Sequence, residues 1–472
     1  MSNELRADYG QVLMFPPCLE DWIGAEHPAR YIREVVDQMD LAGMGFKVRT
    51  AEVGRPSYAV DLLLKVWLYG YWEGVRTSRK LEGACRKDVG LLWLTGMHYP
   101  DHNSLWRFMN ENREAFKEVF LQTVRVAMKS GLVGMVLHAL DGTKIQARGS
   151  TQKMWARGRL EKMLRKLEVR IEEIMQAAEH QERNDEGEYR LPEELADREK
   201  LAATIREKLA ELNKVGREHM NPVEREVEVV KTTDGKRLGY NAQVVVDDRK
   251  GLIVAENVGT EAHDKFQLVE MIEEVERNVG RVADETVADG GYFSGEQLAK
   301  AEEKNYPVLV NLAEVKKAQD NGGAYHVSQF TYGGERDCWI CPEGKELKYE
   351  RTQYRSDRRY KVRIYRCQSF RQCPVRWLCS QDQNGRTVKL TPYAPAVHRQ
   401  EEKQQASAKR DLLARRMSIV EPIFSWIKHL MHFRRWTVGG LEKVRAQWNL
   451  VCAVVNLKKM HHVWQAEKLR LA

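Results

Sequence analysis

The stretch MVLHALDGTKIQA, residues 135–147, decides the fold. An apolar run containing Val133, Val136, Leu137 and Leu140 stops at Asp141, and Gly142, Thr143, Lys144 and Gln146 follow. The run predicts a buried strand over residues 134–140 that presents a carboxylate at its mouth. The rival is an Asp in a Leu-Asp-Gly hairpin turn. Two other stretches look like its partners. TVADGGYFS (residues 286–294) ends a short strand in Asp289, and IVEPIFSWIK (residues 419–428) carries Glu421 on an amphipathic helix.

Toward the N-terminus, residues 60–130 have strongly helical spacing. Leu62, Leu63, Val66, Trp67 and Tyr69 line one stripe, and short helices follow at 78–86 and 89–94. Asn103 or Ser104 is placed to cap the next helix, through Trp106 and Phe108. Compact helices with Arg76, Arg79, Lys80, Arg86 and Lys87 on their polar faces fit either a helix-turn-helix-like DNA reader or a plain bundle. Toward the C-terminus, Leu160, Leu164, Leu167, Ile171 and Ile174 step at heptad spacing. Asn184, Gly187 and Pro192 interrupt the stripe, and Leu195, Leu201, Ile205, Leu209 and Leu212 resume it. This predicts an antiparallel helical hairpin over residues 155–217. Strands then take over, with turns at Asp234 and Gly235 and at Asp247 and Asp248. A helix, the Asp289 strand, a second helix and a strand at 307–312 follow. A mixed α/β layered sheet accounts for that order. Residues 313–400 depart from it and carry five of the eight cysteines, and helices resume to the end.

The 472-residue chain is 43% hydrophobic and 31% charged, with a net charge of +8. Residues 401–472 hold 14 Lys/Arg against 6 Asp/Glu, a balance of +8, so the preceding residues are near neutral. That asymmetry fits a polyanion partner for the C-terminal part, or else a solvated helix face. The first residues have no signal-peptide pattern and no window approaches a membrane span. The expected location is therefore cytoplasmic, without membrane contact, and the cysteines are expected as thiols or metal ligands.

Three chemistries are legible. Phosphodiester cleavage needs an activated nucleophile and a stabilised leaving oxygen, which divalent ions held by carboxylates supply. Asp141, Asp289 and Glu421 are the candidates, and Lys428 lies seven positions beyond Glu421, near the same helix face. Cys338 and Cys341 form a CxxC pair, with Cys373 and Cys379 some thirty residues on. These four can make a structural zinc site, although the second half lacks clean CxxC spacing, with Cys367 six positions before Cys373, and free or redox thiols are the alternatives. Between the two halves, Arg351, Arg358, Arg359, Arg363 and Arg366 alternate with Tyr349, Tyr354, Tyr360 and Tyr365, which suits backbone contact and base stacking or a solvated β-ribbon. Cys18, Cys85 and Cys452 are expected to pack, and His461 and His462 to be a surface pair.

The three acidic segments resemble DDE transposases of bacterial insertion sequences, in the branch with a long helical insert after the first Asp. The residues that carry the resemblance are Leu140-Asp141-Gly142-Thr143-Lys144, Ala288-Asp289-Gly290-Gly291-Tyr292 and Val420-Glu421-Pro422-Ile423-Phe424, with Lys428, Arg434, Arg435 and Gly440 beyond. ACRKDVGLLWLTG and PDHNSLWRF look like the family's N-terminal region. The resemblance implies a ribonuclease-H-like mixed sheet flanked by helices and a catalytic triad of Asp141, Asp289 and Glu421 binding Mg²⁺ or Mn²⁺. It further implies cleavage at transposon ends followed by strand transfer into target DNA, by a homodimer on DNA. A silent DNA-binding protein or a metal-dependent nuclease on the same fold are the alternatives. The arginine that relatives place four before the Glu is Met417 here, so Arg415 or Arg416 is the substitute, beside Lys428, Arg434, Arg435, Arg358 and Arg359 as DNA contacts. The expected domains are an N-terminal helical, DNA-binding part (1–130), a catalytic part (131–154, 218–312 and 401–450), a helical-hairpin insert (155–217), a Cys-rich basic insert (313–400) and a helical tail (451–472).

Overall fold

A computed structural model describes residues 18–47, 57–149, 154–182, 193–221, 224–232, 235–312, 325, 327–354, 360–380 and 382–471. Pro192, Asn184, Gly187, Asp234, Arg358 and Arg359 lie outside them. The chain forms two compact units. One comprises Met1–Val126, Trp426–Phe433 and Asn449–Ala472, and the other Ala127–Ser425 and Arg434–Trp448.

The first unit is helical. Its helix Val60–Trp72 is buried at every residue from Leu63 to Trp72, as befits a segment that is apolar all round. The helix His102–Glu111 is capped by Asp101, whose carboxylate accepts the Asn103 and Ser104 N–H groups at 2.9 and 3.0 Å. The cap expected at Asn103 or Ser104 therefore falls two or three residues earlier, because a carboxylate there reaches two orphan donors at once. Three further expectations are corrected or met here. His461 is buried rather than superficial, with its ring 5.0 Å from Tyr31 and 5.4 Å from Trp72. Cys18 is exposed, whereas Cys85 and Cys452 are buried.

The second unit is mixed α/β, consistent with a ribonuclease-H-like domain. Its strands are β1 (Leu137–Gln146), a two-stranded ladder of β2 (Trp155–Ala156) and β3 (His219–Met220), β4 (Glu228–Thr232), β5 (Gly235–Asp247), β6 (Ile253–Gly259), β7 (Glu285–Ala288) and β8 (Val308–Val310). β1 runs antiparallel to β5, from His138 opposite Asp247 to Gln146 opposite Gly239. On its other edge it runs parallel to β7, from Leu137 opposite Glu285 to Leu140 opposite Ala288. β8 extends β7 in parallel, and β4 and β6 share the outer edge of β5. The strand predicted to stop at Leu140 thus continues through Asp141 to Gln146, and Gly142 and Thr143 do not turn. The reason is β5, which pairs along nearly the whole of β1. Only the parallel partner ends at Leu140.

Asp247 fixes the entry to β1. It is fully buried and accepts the N–H groups of Gly134 at 2.9 Å, Met135 at 2.8 Å and Arg249 at 3.0 Å. His138 Nε2 stands 3.4 Å from it. Met135 has φ of 59°, a conformation a non-glycine residue holds only when its surroundings impose it. Burial alone would push the Asp247 carboxyl up, but His138 and the three N–H donors prevail and hold it below its ordinary value. A depressed carboxyl stabilises the fold above the unfolded-state pKa and loses that contribution as pH falls through the folded one. Asp247→Asn should therefore cost about 1–3 kcal/mol near pH 7. In urea titrations the gap to wild type should narrow as the pH drops below the ordinary carboxylate range.

The helices Arg157–Glu182 and Glu193–Val215 pack through Leu160, Ile205 and Leu212, with Leu164, Leu167 and Leu209 beside them and Met220 of β3 in the same cluster. Leu201 leaves the expected stripe, being 44% exposed while Ala202 is buried. The Cys-rich segment forms a second, antiparallel sheet of β9 (Thr331–Gly333), β10 (Cys338–Ile340), β11 (Glu346–Tyr354), β12 (Lys361–Cys367) and β13 (Thr387–Leu390) in spatial order 13-12-11-10-9. Within it Arg363 lies over Tyr349 and Tyr365 and pairs with Asp337, so one arginine of the basic and aromatic ribbon serves the sheet itself. Among the described residues no helix is long and apolar enough to cross a membrane.

Candidate active site

Parallel pairing brings the first two carboxylates together. Leu140 and Ala288 are the last partners of the β1–β7 ladder, so Asp141 and Asp289 are the next residues on neighbouring strands. The two are linked electrostatically, because the charge of Asp289 raises the Asp141 pKa. The Asp289 carboxylate accepts the Gly291 N–H at 2.9 Å and caps the 3₁₀ turn Gly290–Tyr292. Asp141 accepts its own neighbour's N–H, from Gly142, at 2.8 Å on Oδ1. Its Oδ2 receives the Arg416 guanidinium at 2.8 Å. Burial raises the Asp141 carboxyl above its ordinary value, Arg416 opposes this, and Asp289 adds to it.

The helix Ser407–Ser425 supplies Arg416 and lies against the sheet through buried Ile419, Val420 and Ile423. Three ion pairs bind it to the strands: Lys409 to Glu285, Arg415 to Asp248 at 2.8 Å, and Arg416 to Asp141. The two arginines left undecided by the sequence are thereby separated. Arg416 is the one that reaches Asp141, and Arg415 turns to the β5–β6 connection. Glu421 is exposed on the same helix, five positions beyond Arg416. Asp141 and Asp289 are neighbours, then, while Glu421 stands further along the helix with its carboxylate toward solvent. Among the described residues no three His, Cys, Asp or Glu side chains are gathered closely enough to hold a metal ion.

Lys428 lies in the π-helical turn Trp426–Leu430, which belongs to the first unit. A π turn breaks the 3.6-residue period on which the shared face with Glu421 was expected. Arg435 is engaged at the end of β1, with Nε 3.2 Å from the Ala147 carbonyl oxygen and Nη2 2.6 Å from that of Arg148. Arg434 is exposed. Of the cysteines, Cys338 is buried, Cys341, Cys373 and Cys379 are half-buried, and none is in a disulfide.

A further carboxylate, Asp264, sits within this site and was not picked out from the sequence. Lys144 Nζ donates to its two oxygens at 2.7 and 2.6 Å, and Asn241 and Gln243 amides donate to Oδ1 at 2.8 and 2.6 Å. Gln243 in turn accepts the hydroxyl of fully buried Tyr292, whose pKa burial drives well upward, helped by the charges of Asp264, Asp141 and Asp289. Both Asp-Gly motifs make room for this network. A Cβ at Gly142 would meet Asp264 Oδ1 at 2.9 Å, and one at Gly291 would meet Asp289 Oδ1 at 2.9 Å and Asp264 Oδ2 at 3.6 Å. Asp264 lies in the polar run GTEAHDKFQ, where no periodicity or motif marks it.

The donor set fits a divalent cation by its chemistry. Two hard carboxylate groups adjoin, and the one buried at a cost to its charged form is offset in part by an arginine. No match is found among curated proteins. A family model described as a transposase DDE domain matches residues 340–461, a span that includes Glu421, and one described as a transposase domain matches residues 17–111. The two matches indicate a DDE-type transposase of the insertion-sequence kind.

Proposed function

We propose that this transposase cuts DNA at the ends of its insertion sequence and joins the freed 3′-hydroxyls to target DNA, with Asp141, Asp289 and Glu421 as its triad. The observation that supports this most is the side-by-side placement of Asp141 and Asp289 beyond the last β1–β7 pair. DDE transposases generally use divalent metal ions, and Mg²⁺ or Mn²⁺ at these carboxylates would supply an activated nucleophile and a stabilised leaving oxygen. The remaining roles belong to the chain. Asp141 and Asp289 hold the charge of the site at fixed strand positions. Arg416 opposes the upward push of burial on Asp141 and offers a planar donor array suited to a phosphate. We assign it the arginine role that Met417 cannot fill. Lys428, Arg415, Arg434, Arg435, Arg358 and Arg359 are assigned to the DNA backbone. Arg415 and Arg435 exchange a protein partner for phosphate when they act. The N-terminal helices are assigned to end recognition, and the active form to a homodimer on DNA.

The test is an assay with purified protein, Mg²⁺ or Mn²⁺, and duplexes that carry the element's terminal repeats with flanking DNA. Nicking at the repeat boundary and joined products, both abolished by chelation, are expected. Binding without nicking would favour the silent DNA-binding alternative, and nicking without joining the nuclease one. Arg416→Gln should slow nicking by about 10²-fold, the usual effect of removing one charge-stabilising donor. Arg415→Gln should change it by no more than about threefold at saturating DNA, since Arg415 pairs with Asp248 on the β5–β6 connection, away from the two carboxylates.

A further inference from the structure

We infer that Cys341, Cys367, Cys373 and Cys379 form one structural zinc site, and that Cys338 is not a ligand. All four line a single small cavity beside β10, β12 and the short helix Arg376–Cys379. Three of them, Cys341, Cys367 and Cys379, pack on the core of Phe330, Leu347, Tyr365 and Val388. Cys338 does not line that cavity. It is buried in β10, with its sulfur 3.7 Å from where a Gly333 Cβ would stand. Side chains alternate across a sheet, and the Cys341 N–H to the Lys345 carbonyl carries the pairing one residue past β10, so residues three apart there face opposite sides. Cys338 lies within β10 and Cys341 just beyond its end, and of the two only Cys341 lines the cavity.

The backbone supplies hydrogen-bond donors to the sulfurs. The Lys345 N–H donates to Cys341 Sγ at 3.3 Å, across a loop closed by the Gly344 N–H to the Cys341 carbonyl at 2.8 Å. Gly344 has φ of 69°, a conformation glycine takes without strain. The Ser369 backbone supports Cys367 in the same way. Four bound thiolates and one Zn²⁺ carry a net charge of −2, and cations stand beside the cavity to offset it. Lys345 and Arg386, the latter only 4% exposed, both line the cavity with the four sulfurs. As placed, the sulfurs surround the cavity without converging, since no three ligand-type side chains among the described residues are within range of one ion. Rotation of the thiols toward the cavity centre, with release of their protons, completes a tetrahedral set of four sulfurs. Four sulfurs and no hard-oxygen majority select zinc over the divalent ion of the catalytic carboxylates.

The experiment uses the full chain, purified reduced from zinc-replete culture and analysed by elemental mass spectrometry. About one zinc per chain is expected. Cys367→Ser and Cys373→Ser should each lower that content by at least about fivefold, and Cys338→Ser should leave it unchanged. Cobalt titration of the wild-type apoprotein, independent of any variant's folding, should give the thiolate charge-transfer and tetrahedral d–d bands. Reduced wild-type protein that takes up neither metal would overturn the site. Loss of zinc in Cys338→Ser with retention in Cys367→Ser would overturn the ligand set. Neither outcome bears on Asp141 and Asp289, whose assay is separate.

Discussion

Asp141→Ala will abolish end cleavage, by about 10⁴-fold or more, the scale on which removal of an essential catalytic group is felt. Binding of the element's ends will stay close to wild type. The size of the effect follows from how the site is built. Asp141 projects from a strand paired on both edges up to Leu140 and on one edge beyond it, so its carboxylate position is set by the sheet. No neighbour can replace it. Asp289 is committed to the 3₁₀ turn after β7, and Asp264 is held by Lys144, Asn241 and Gln243. Asp141→Asn keeps the shape and the Gly142 N–H contact but removes the charge, and it should be as inactive as the alanine variant. Equal loss in both variants, with end binding intact in mobility-shift assays, identifies the charge as the required property. Cutting that persists in either would sink the triad assignment.

How far the sequence reveals this site depends on the range of the interactions involved. The apolar run ending at Leu140 is a local signal, and it marks the buried half of β1 and the carboxylate beyond it. The half from Asp141 to Gln146 is polar and carries no such signal, because its pairing comes from β5, nearly a hundred residues on. The Asp101 cap was missed by two or three positions, since several consecutive polar residues are each able to cap. Arg415 and Arg416 are adjacent and chemically identical, and only the rotation of their helix against the sheet distinguishes them. Cys338 belongs to a familiar CxxC spacing, yet spacing carries no record of strand parity. Cys367, six residues from its neighbour, lacked any spacing to recommend it. Glu421 was legible as a helical Glu, but its exposure and the π turn that follows arise from packing that a periodic pattern does not encode.

Asp264→Ala is expected to destabilise the second unit by about 3–5 kcal/mol, the range found when one partner of a buried ion pair is removed. Lys144 and Asp264 are 16% and 19% exposed in their side chains, between a surface pair and a fully buried one, so the lower part of that range is the closer guide. The amides add to it. Asn241 and Gln243 are 2% and 0% exposed, and both lose a charged acceptor that water cannot readily replace. Asp264→Asn should cost less, because it keeps an acceptor for Lys144 while giving up the charge. Lys144→Met combined with Asp264→Leu removes both charges, so the double variant should be more stable than Asp264→Ala alone. Urea unfolding of the four proteins checks this, and a double variant no better than the single would show that the amides, not the ion pair, carry the effect. The same substitution should also slow DNA cleavage. The glycines beside Asp141 and Asp289 lie against the Asp264 carboxylate, so its removal lets both motifs shift, and a displacement of about 1 Å in a catalytic group is enough for a 10²-fold loss.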